Sequence, residues 1–129
     1  MSPPPPRAQG ALVFDEQAQE IYQPAGDEYG VAKAQYRMGD LLFQQGQLAQ
    51  SNAVLEQCLQ LYRAIGADAD AAETLGDMAG GFMEMGQLEK AKSMYEEELV
   101  QQRLVRSQRG IAEALLNLGA LMGAEVGRI

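Results

Sequence analysis

The sequence predicts an all-α solenoid of stacked antiparallel helix pairs, and three observations carry that expectation. The chain repeats itself at an interval of 40 residues: Gly46-Gln47-Leu48 returns as Gly86-Gln87-Leu88, Met38 leads to Met78 and Leu118, and Ala32 to Ala72 and Ala112. Within each copy, apolar residues recur three and four positions apart, the spacing of one helical face. Glycines punctuate the apolar stretches where helices would have to turn. A period in this range marks supersecondary units that bury their apolar faces only by stacking on one another.

The chain opens on Pro3-Pro4-Pro5-Pro6, and fixed φ angles without backbone donors suit an extended tail better than a helix interior. Residues 1–10 are therefore expected to be a disordered tail. With Arg7 behind the prolines, the other reading is a ligand for an aromatic groove that takes polyproline helices. Ala11–Tyr22 follows as a helix with Phe14, Ala18, Ile21 and Tyr22 on one face, stopped by Pro24 and Gly26. Moved forward by one repeat, Ala18 falls on Cys58, Tyr22 on Tyr62 and Gly26 on Gly66, so residues 11–26 form the second half of a repeat.

Residues 31–66 make the first full repeat. Val31, Ala34, Met38, Leu41 and Leu42 form an apolar stripe closed by Gly46. Leu48, Val54, Leu55, Cys58, Leu59 and Tyr62 do the same for the returning helix, ended by Gly66. Asp68 and Asp70 then offer N-cap carboxylates, Asp70 with Glu73 as in a capping box. Residues 71–106 are the second full repeat, with Ala72, Leu75, Met78, Ala79 and Phe82 facing Leu88, Ala91, Met94, Tyr95 and Leu99. Gly76, Gly80 and Gly81 sit inside its first helix, where each costs roughly 1 kcal/mol relative to Ala. Either that helix is the softest of the array, or the glycines allow neighbouring helices to approach closely.

A last half-repeat, residues 110–123, carries Ile111, Ala114, Leu115, Leu118 and Leu121, followed by a flexible end at 124–129. No second helix covers its apolar face. Residues 111–122 are accordingly a candidate homodimer contact or partner contact, unless the chain is an excerpt of a longer protein.

Composition narrows the function. Acidic residues outnumber basic ones 18 to 10, for a formal charge of −8 in 129 residues. A field of that sign repels nucleic acid and anionic lipid and attracts basic segments of proteins. Cys58 is the single cysteine, which excludes an internal disulfide framework and fits a reducing, cytoplasmic setting. No apolar run approaches the roughly 20 residues of a membrane span.

The repeat pattern resembles the tetratricopeptide family. Its Leu-Gly pair, large residue, turn glycine and later small-aromatic-small residues fall here on Met38-Gly39, Leu42, Gly46, Ser51, Leu55 and Cys58. In the next copy they fall on Met78-Ala79, Phe82, Gly86, Ala91, Tyr95 and Glu98, and in the last on Leu118-Gly119 and Met122. The long period is similar to the 40-residue subclass found in adaptors of G-protein regulators and spindle-orientation factors, and to kinesin light chains. Glu98 departs from the pattern, placing a carboxylate where a small residue normally packs. Either the second hairpin is looser there or Glu98 points to the rim.

The resemblance implies a superhelix whose concave wall, lined by the first helix of each unit, holds a peptide or helical segment of a partner. On this chain the wall residues are Lys33, Tyr36, Arg37, Asp40, Phe43 and Gln44, then Glu73, Asp77, Met83 and Glu84, then Glu113, Leu116 and Asn117. Tyr36, Phe43 and Met83 are either apolar anchors for the partner or ordinary packing between repeats. The acids suit Lys or Arg of a basic amphipathic segment. The family's clamp for chaperone carboxylates needs Lys and Asn where this chain has Tyr36 and Asp40, so that ligand is not expected.

Catalysis, cofactor and metal are not expected either. The chain has no His, the commonest general base and zinc ligand. Cys58 lies on a buried face with no base beside it in sequence and reads as core. Glu96, Glu97 and Glu98 fan around their helix about 100° apart and cannot converge on one ion. Gly76 to Gly81 lacks the Lys-Ser/Thr ending of a phosphate loop.

Overall fold

The computed structural model describes residues 6–127, which form six helices and, among the described residues, no strand. The helices are α1 (Pro6–Tyr22), α2 (Glu28–Gln44), α3 (Leu48–Ala64), α4 (Asp68–Glu84), α5 (Leu88–Leu104) and α6 (Gln108–Gly127). Four of the five connections between them carry a glycine, at Gly26, Gly46, Gly66 and Gly86, whose φ angles lie between 73° and 78°. In that left-handed region glycine has no Cβ to clash. Arg106 takes the fifth place at φ 57° and is the single non-glycine residue with positive φ among those described. The left-handed positions thus recur every twenty residues, half the sequence period. Among the described residues no helix is long and apolar enough to cross a membrane.

The chain divides into two compact units at Ile65/Gly66. In unit 1, α1 packs on α2 and α2 on α3. Val31, Ala32 and Ala34 of α2 are buried with Leu55, Cys58, Leu59 and Tyr62 of α3. α2 and α3 approach closely at Gly39, where a Cβ would stand 2.6 Å from Leu55 Cδ2. Ser51 fastens the same level by donating its hydroxyl to the Gly39 carbonyl at 2.7 Å. Cys58 Sγ lies 3.2 Å from the Ala32 carbonyl, as a small core thiol should. Tyr29 and Tyr62 add a tilted ring pair 5.8 Å apart.

In unit 2, α5 packs against both α4 and α6, and α4 also touches α6. Ala79, Ala91, Tyr95 and Leu121 are its buried centre, with Phe82, Met83, Leu88, Met94 and Leu118 packed around them. The approach of α5 to α6 repeats that of α1 to α2. Tyr22 lays its ring over Gly30, and Gln102 its amide over Gly110, each glycine lacking the Cβ that would collide.

Several boundaries and faces differ from those the sequence suggests. α1 starts at Pro6, not Ala11. Proline is favoured at the first helical position, where its missing N–H would have no partner and its φ is already helical. Residues 1–5 of the expected tail lie outside the described residues. The face of α1 turned to α2 is also different: Phe14 and Ile21 are exposed, whereas Asp15 is buried and accepts a 3.1 Å ion-pair bond from Arg37 Nε. At the other end α6 continues through Gly123 to Gly127, since glycine weakens a helix without ending it. Leu115 of the expected stripe is exposed, and Ala114 and Leu121 are the members of that stripe that α6 buries.

Helix entry is capped unevenly. Asp27 Oδ1 accepts from the Gly30 N–H at 2.8 Å, and Ser107 Oγ from the Gly110 N–H at 3.0 Å. The position between them in the repeat is Ala67, which cannot cap. Asp68 and Asp70, expected to cap, lie instead inside the first turn of α4. The left-handed Gly66 ends the turn early, and the helix starts before either aspartate reaches the cap position. Ala67→Ser is therefore expected to stabilise unit 2 by about 1 kcal/mol. Urea denaturation followed by helix circular dichroism checks it, and an unchanged or lower midpoint would refute it.

Candidate functional site

The side chains proposed from sequence divide between the two units. In unit 1, Lys33, Arg37, Asp40 and Gln44 are exposed, and Tyr36 and Phe43 are half-buried. Two of the four exposed groups are engaged with each other: Gln44 Nε2 donates to Asp40 Oδ2 at 3.0 Å, one turn apart on α2. Arg37 is held by buried Asp15, so it braces α1 against α2. Unit 1 therefore offers a mixed surface without a concentration of one charge.

Unit 2 is different. Glu73, Asp77 and Glu84 project from α4, and Glu113 from α6, all exposed. Met83 packs on the buried centre of the unit, which makes it a packing residue, and Leu116 is exposed. Exposed Glu113 accepts from Arg109 Nε at 2.9 Å along α6. A pair so open to solvent contributes little to stability.

The residue around which the acids gather is Glu98 of α5. It retains only 5% of its surface, despite being a carboxylic acid. Room for it comes from α4: the carboxyl lies over Gly76, in the space a Cβ would fill. One repeat earlier these two positions hold Tyr36 and Cys58, a large residue on the first helix and a small one on the second. Unit 2 inverts the sizes. Glu98 is therefore neither at the rim nor a sign of loose packing, and the Gly76 question resolves toward close approach.

Electrostatically this carboxyl is unfavourably placed. Burial first, then the negative charge of Asp77, and after these Glu113 and Glu73, push its pKa up to about 7, against the opposing hydrogen bond from Asn117. Loss of hydration and like charge both disfavour the ionised form. Among the described residues Glu98 Oε1 has no hydrogen-bond partner. Tyr95, one turn earlier on α5, is likewise raised, by burial and then by Glu98, Asp77 and Glu84. Of the wall residues named from sequence, the fold thus gathers Glu73, Asp77, Glu113 and Asn117 around one centre, Glu98, which the sequence marks as a departure from the repeat pattern and not as a wall residue.

Among the described residues no group of three or more acids or cysteine is placed to hold a metal ion. A separate shallow groove of about 550 Å³, lined by Gly86, Gln87, Leu88, Glu89, Lys90, Lys92 and Glu125, mixes both charges and converges on nothing. Lys90 of this groove lies over the Phe82 ring, 5.4 Å from the centroid.

Neither a protein-family model nor a curated protein sequence matches this chain. Among solved structures it is similar to the crystal structure of BtubC (BKLC) from P. vanneervenii, with a TM-score of 0.81 and 18% identity. The match covers 92% of this chain and 50% of that one, so this chain spans about half its neighbour's length. A likeness at this identity speaks for the fold alone. The chain has the fold of a helical-repeat protein, built from consecutive packed helix pairs.

Proposed function

We propose that this chain is a tetratricopeptide-type scaffold, without catalysis or cofactor, that holds a basic, partly apolar segment of another protein in a reducing compartment such as the cytoplasm. The observation that supports it best is the convergence of Glu73, Asp77 and Glu113 on the buried Glu98 of unit 2. Charge gathered in this way attracts Lys and Arg and disfavours nucleic acid and anionic membranes. The exposed Leu116 on α6 of the same unit supplies apolar contact of the sort peptide grooves use.

The test is a fluorescence titration of a basic amphipathic peptide against its acid-substituted counterpart, across an ionic-strength series. The basic peptide is expected to bind, to weaken as salt screens the charge, and to lose most of its affinity for the Asp77→Lys variant. Salt-independent binding, or equal binding of the acidic peptide, would sink the proposal.

A second reading, self-association through α6, is favoured by the exposure of Leu115, Leu116 and Met122 on that helix. Apolar groups clustered on one helix face are a common dimer contact. Sedimentation at several concentrations separates the two, since a monomer throughout the micromolar range excludes self-association.

A further inference from the structure

One side of α6 carries a pattern that the preceding repeat buries, and leaves it open. Ala112, Leu115, Gly119 and Met122 occupy the repeat positions of Ala72, Leu75, Ala79 and Phe82 on α4. On α4, which packs on α5, Ala72, Leu75 and Ala79 are buried. On α6 all four equivalents are exposed, together with Leu116, Gly123 and Val126. Leu116, Met122 and Val126 keep 73%, 60% and 70% of their surface. Among the described residues nothing stands within 4 Å of a Cβ added at Gly119 or Gly123. At about 100° per residue these positions share one side of the helix over about four turns. No polar residue interrupts that side between Ala112 and Val126; at its edge Arg109 and Glu113 balance each other in a 2.9 Å ion pair. An open apolar stripe of this length marks a contact, and its equivalent on α4 takes a helix.

We propose that this stripe of α6 pairs with the same stripe of a second copy of the chain, antiparallel, about a two-fold axis at Gly119. This rests on the self-association reading above and gives it a geometry. The stripe is its own complement. Ala112 and Val126 stand seven positions to either side of Gly119, and the large residues Leu115, Leu116 and Met122 lie between. Turned end for end, the second helix brings its Val126 level with Ala112, and its Met122 and Gly123 level with Leu115 and Leu116. Small then meets large on both sides of the axis, as an isologous contact requires. Glycine at the crossing lets the two backbones approach. A helix of unrelated sequence would place no such demand on the order of these residues.

About four turns of one helix bury less than the roughly 800 Å² a side of a standard interface, so the dimer belongs to the weak class, half-formed at on the order of 10–100 μM. Each copy carries a formal charge of −8, and the copies repel at long range although the contact itself is apolar. Salt screens that repulsion. Association should therefore tighten with ionic strength, opposite in sign to the binding of a basic peptide.

The experiment is sedimentation equilibrium of the whole chain across that concentration range, at low and high salt, followed by cross-linking. The parent is expected to dimerise, more tightly at high salt. Met122→Asp, at an exposed position, should keep the helix content and weaken association by roughly tenfold or more. Register is read by oxidising single-cysteine chains in which the buried Cys58 is replaced by Ala. Gly119→Cys should cross-link to itself, since the axis brings the two sites within disulfide reach. Val126→Cys should not, because antiparallel pairing holds its two copies about 21 Å apart, yet it should link to Ala112→Cys when the two variants are mixed. A chain that dimerises while Val126→Cys links to itself or Gly119→Cys does not, or whose Met122→Asp variant associates like the parent, overturns this pairing and leaves self-association standing. A parent that stays monomeric throughout at high salt removes both, and leaves the face to a helix of another protein.

Discussion

Gly39→Val is expected to destabilise unit 1 by about 3 kcal/mol, the upper part of the range for overpacking a close-packed interior. A Cβ at Gly39 would stand 2.6 Å from Leu55 Cδ2 and 2.7 Å from its Cγ. Leu55 has nowhere to retreat, being 2% exposed. A branched side chain must therefore push α2 from α3 and stretch the 2.7 Å bond from Ser51 to the Gly39 carbonyl. Leu55→Ala alone should cost about 2–5 kcal/mol through the cavity it leaves. Combined with Gly39→Val it should cost clearly less than the sum, because each change relieves the other. Strict additivity in urea midpoints would show that the two residues do not meet. Gly119 occupies the equivalent place two repeats on, with nothing within 4 Å of its hypothetical Cβ. Gly119→Ala should accordingly stabilise α6 by up to about 1 kcal/mol through helix propensity alone. One repeat position thus yields substitutions of opposite sign.

The second large effect is a stability difference that depends on pH. The folded chain raises Glu98 from its ordinary value near 4.5 to about 7, so the folded state binds this proton more tightly than the unfolded state. The stabilising contribution is fully present below about pH 4.5, falls as pH rises toward 7, and is gone above it. Glu98→Gln replaces the acid with a neutral group of nearly the same shape. At pH 4.5 the variant and the parent should be close in stability, and at pH 8 the variant should be more stable by roughly 2 kcal/mol, allowing for screening by nearby solvent. Denaturation at the two pH values checks this. An equal difference at both would mean that ionisation of Glu98 is not what is being measured.

The fold was largely written in the repeat. Positions such as Leu55, Cys58 and Tyr62, or Ala72, Leu75 and Met78, follow the helical period and are buried as expected, because an apolar stripe has only one favourable way to face. Ends were harder to read. The proline run looked like a tail, yet its last member opens α1, and two glycines near the end of the chain did not stop α6. Both errors have one cause: Pro and Gly have meaning only relative to a helix boundary, and a single sequence does not mark where that boundary lies. Asp27 went unnoticed as a cap, although its repeat partner Ser107 performs the same task. The site was half legible. Glu98 stood out as a residue of the wrong kind, and Asp77 and Glu113 as a negative face. What joins them is the inversion of Tyr36 and Cys58 into Gly76 and Glu98, visible only when two residues 22 apart are compared as a pair across the repeat.

Within each unit, the helices that pack together are neighbours along the chain or one removed, as α1 on α2 and α5 on α6. Contacts of such short loop closure exact little chain entropy before they form, and low contact order goes with folding in the microsecond-to-millisecond range. Refolding should show no slow β-type pairing phase. Amide hydrogens of one unit can then exchange through partial openings that leave the other intact, so a partner that clamps unit 2 would slow exchange there before it raised the global melting point.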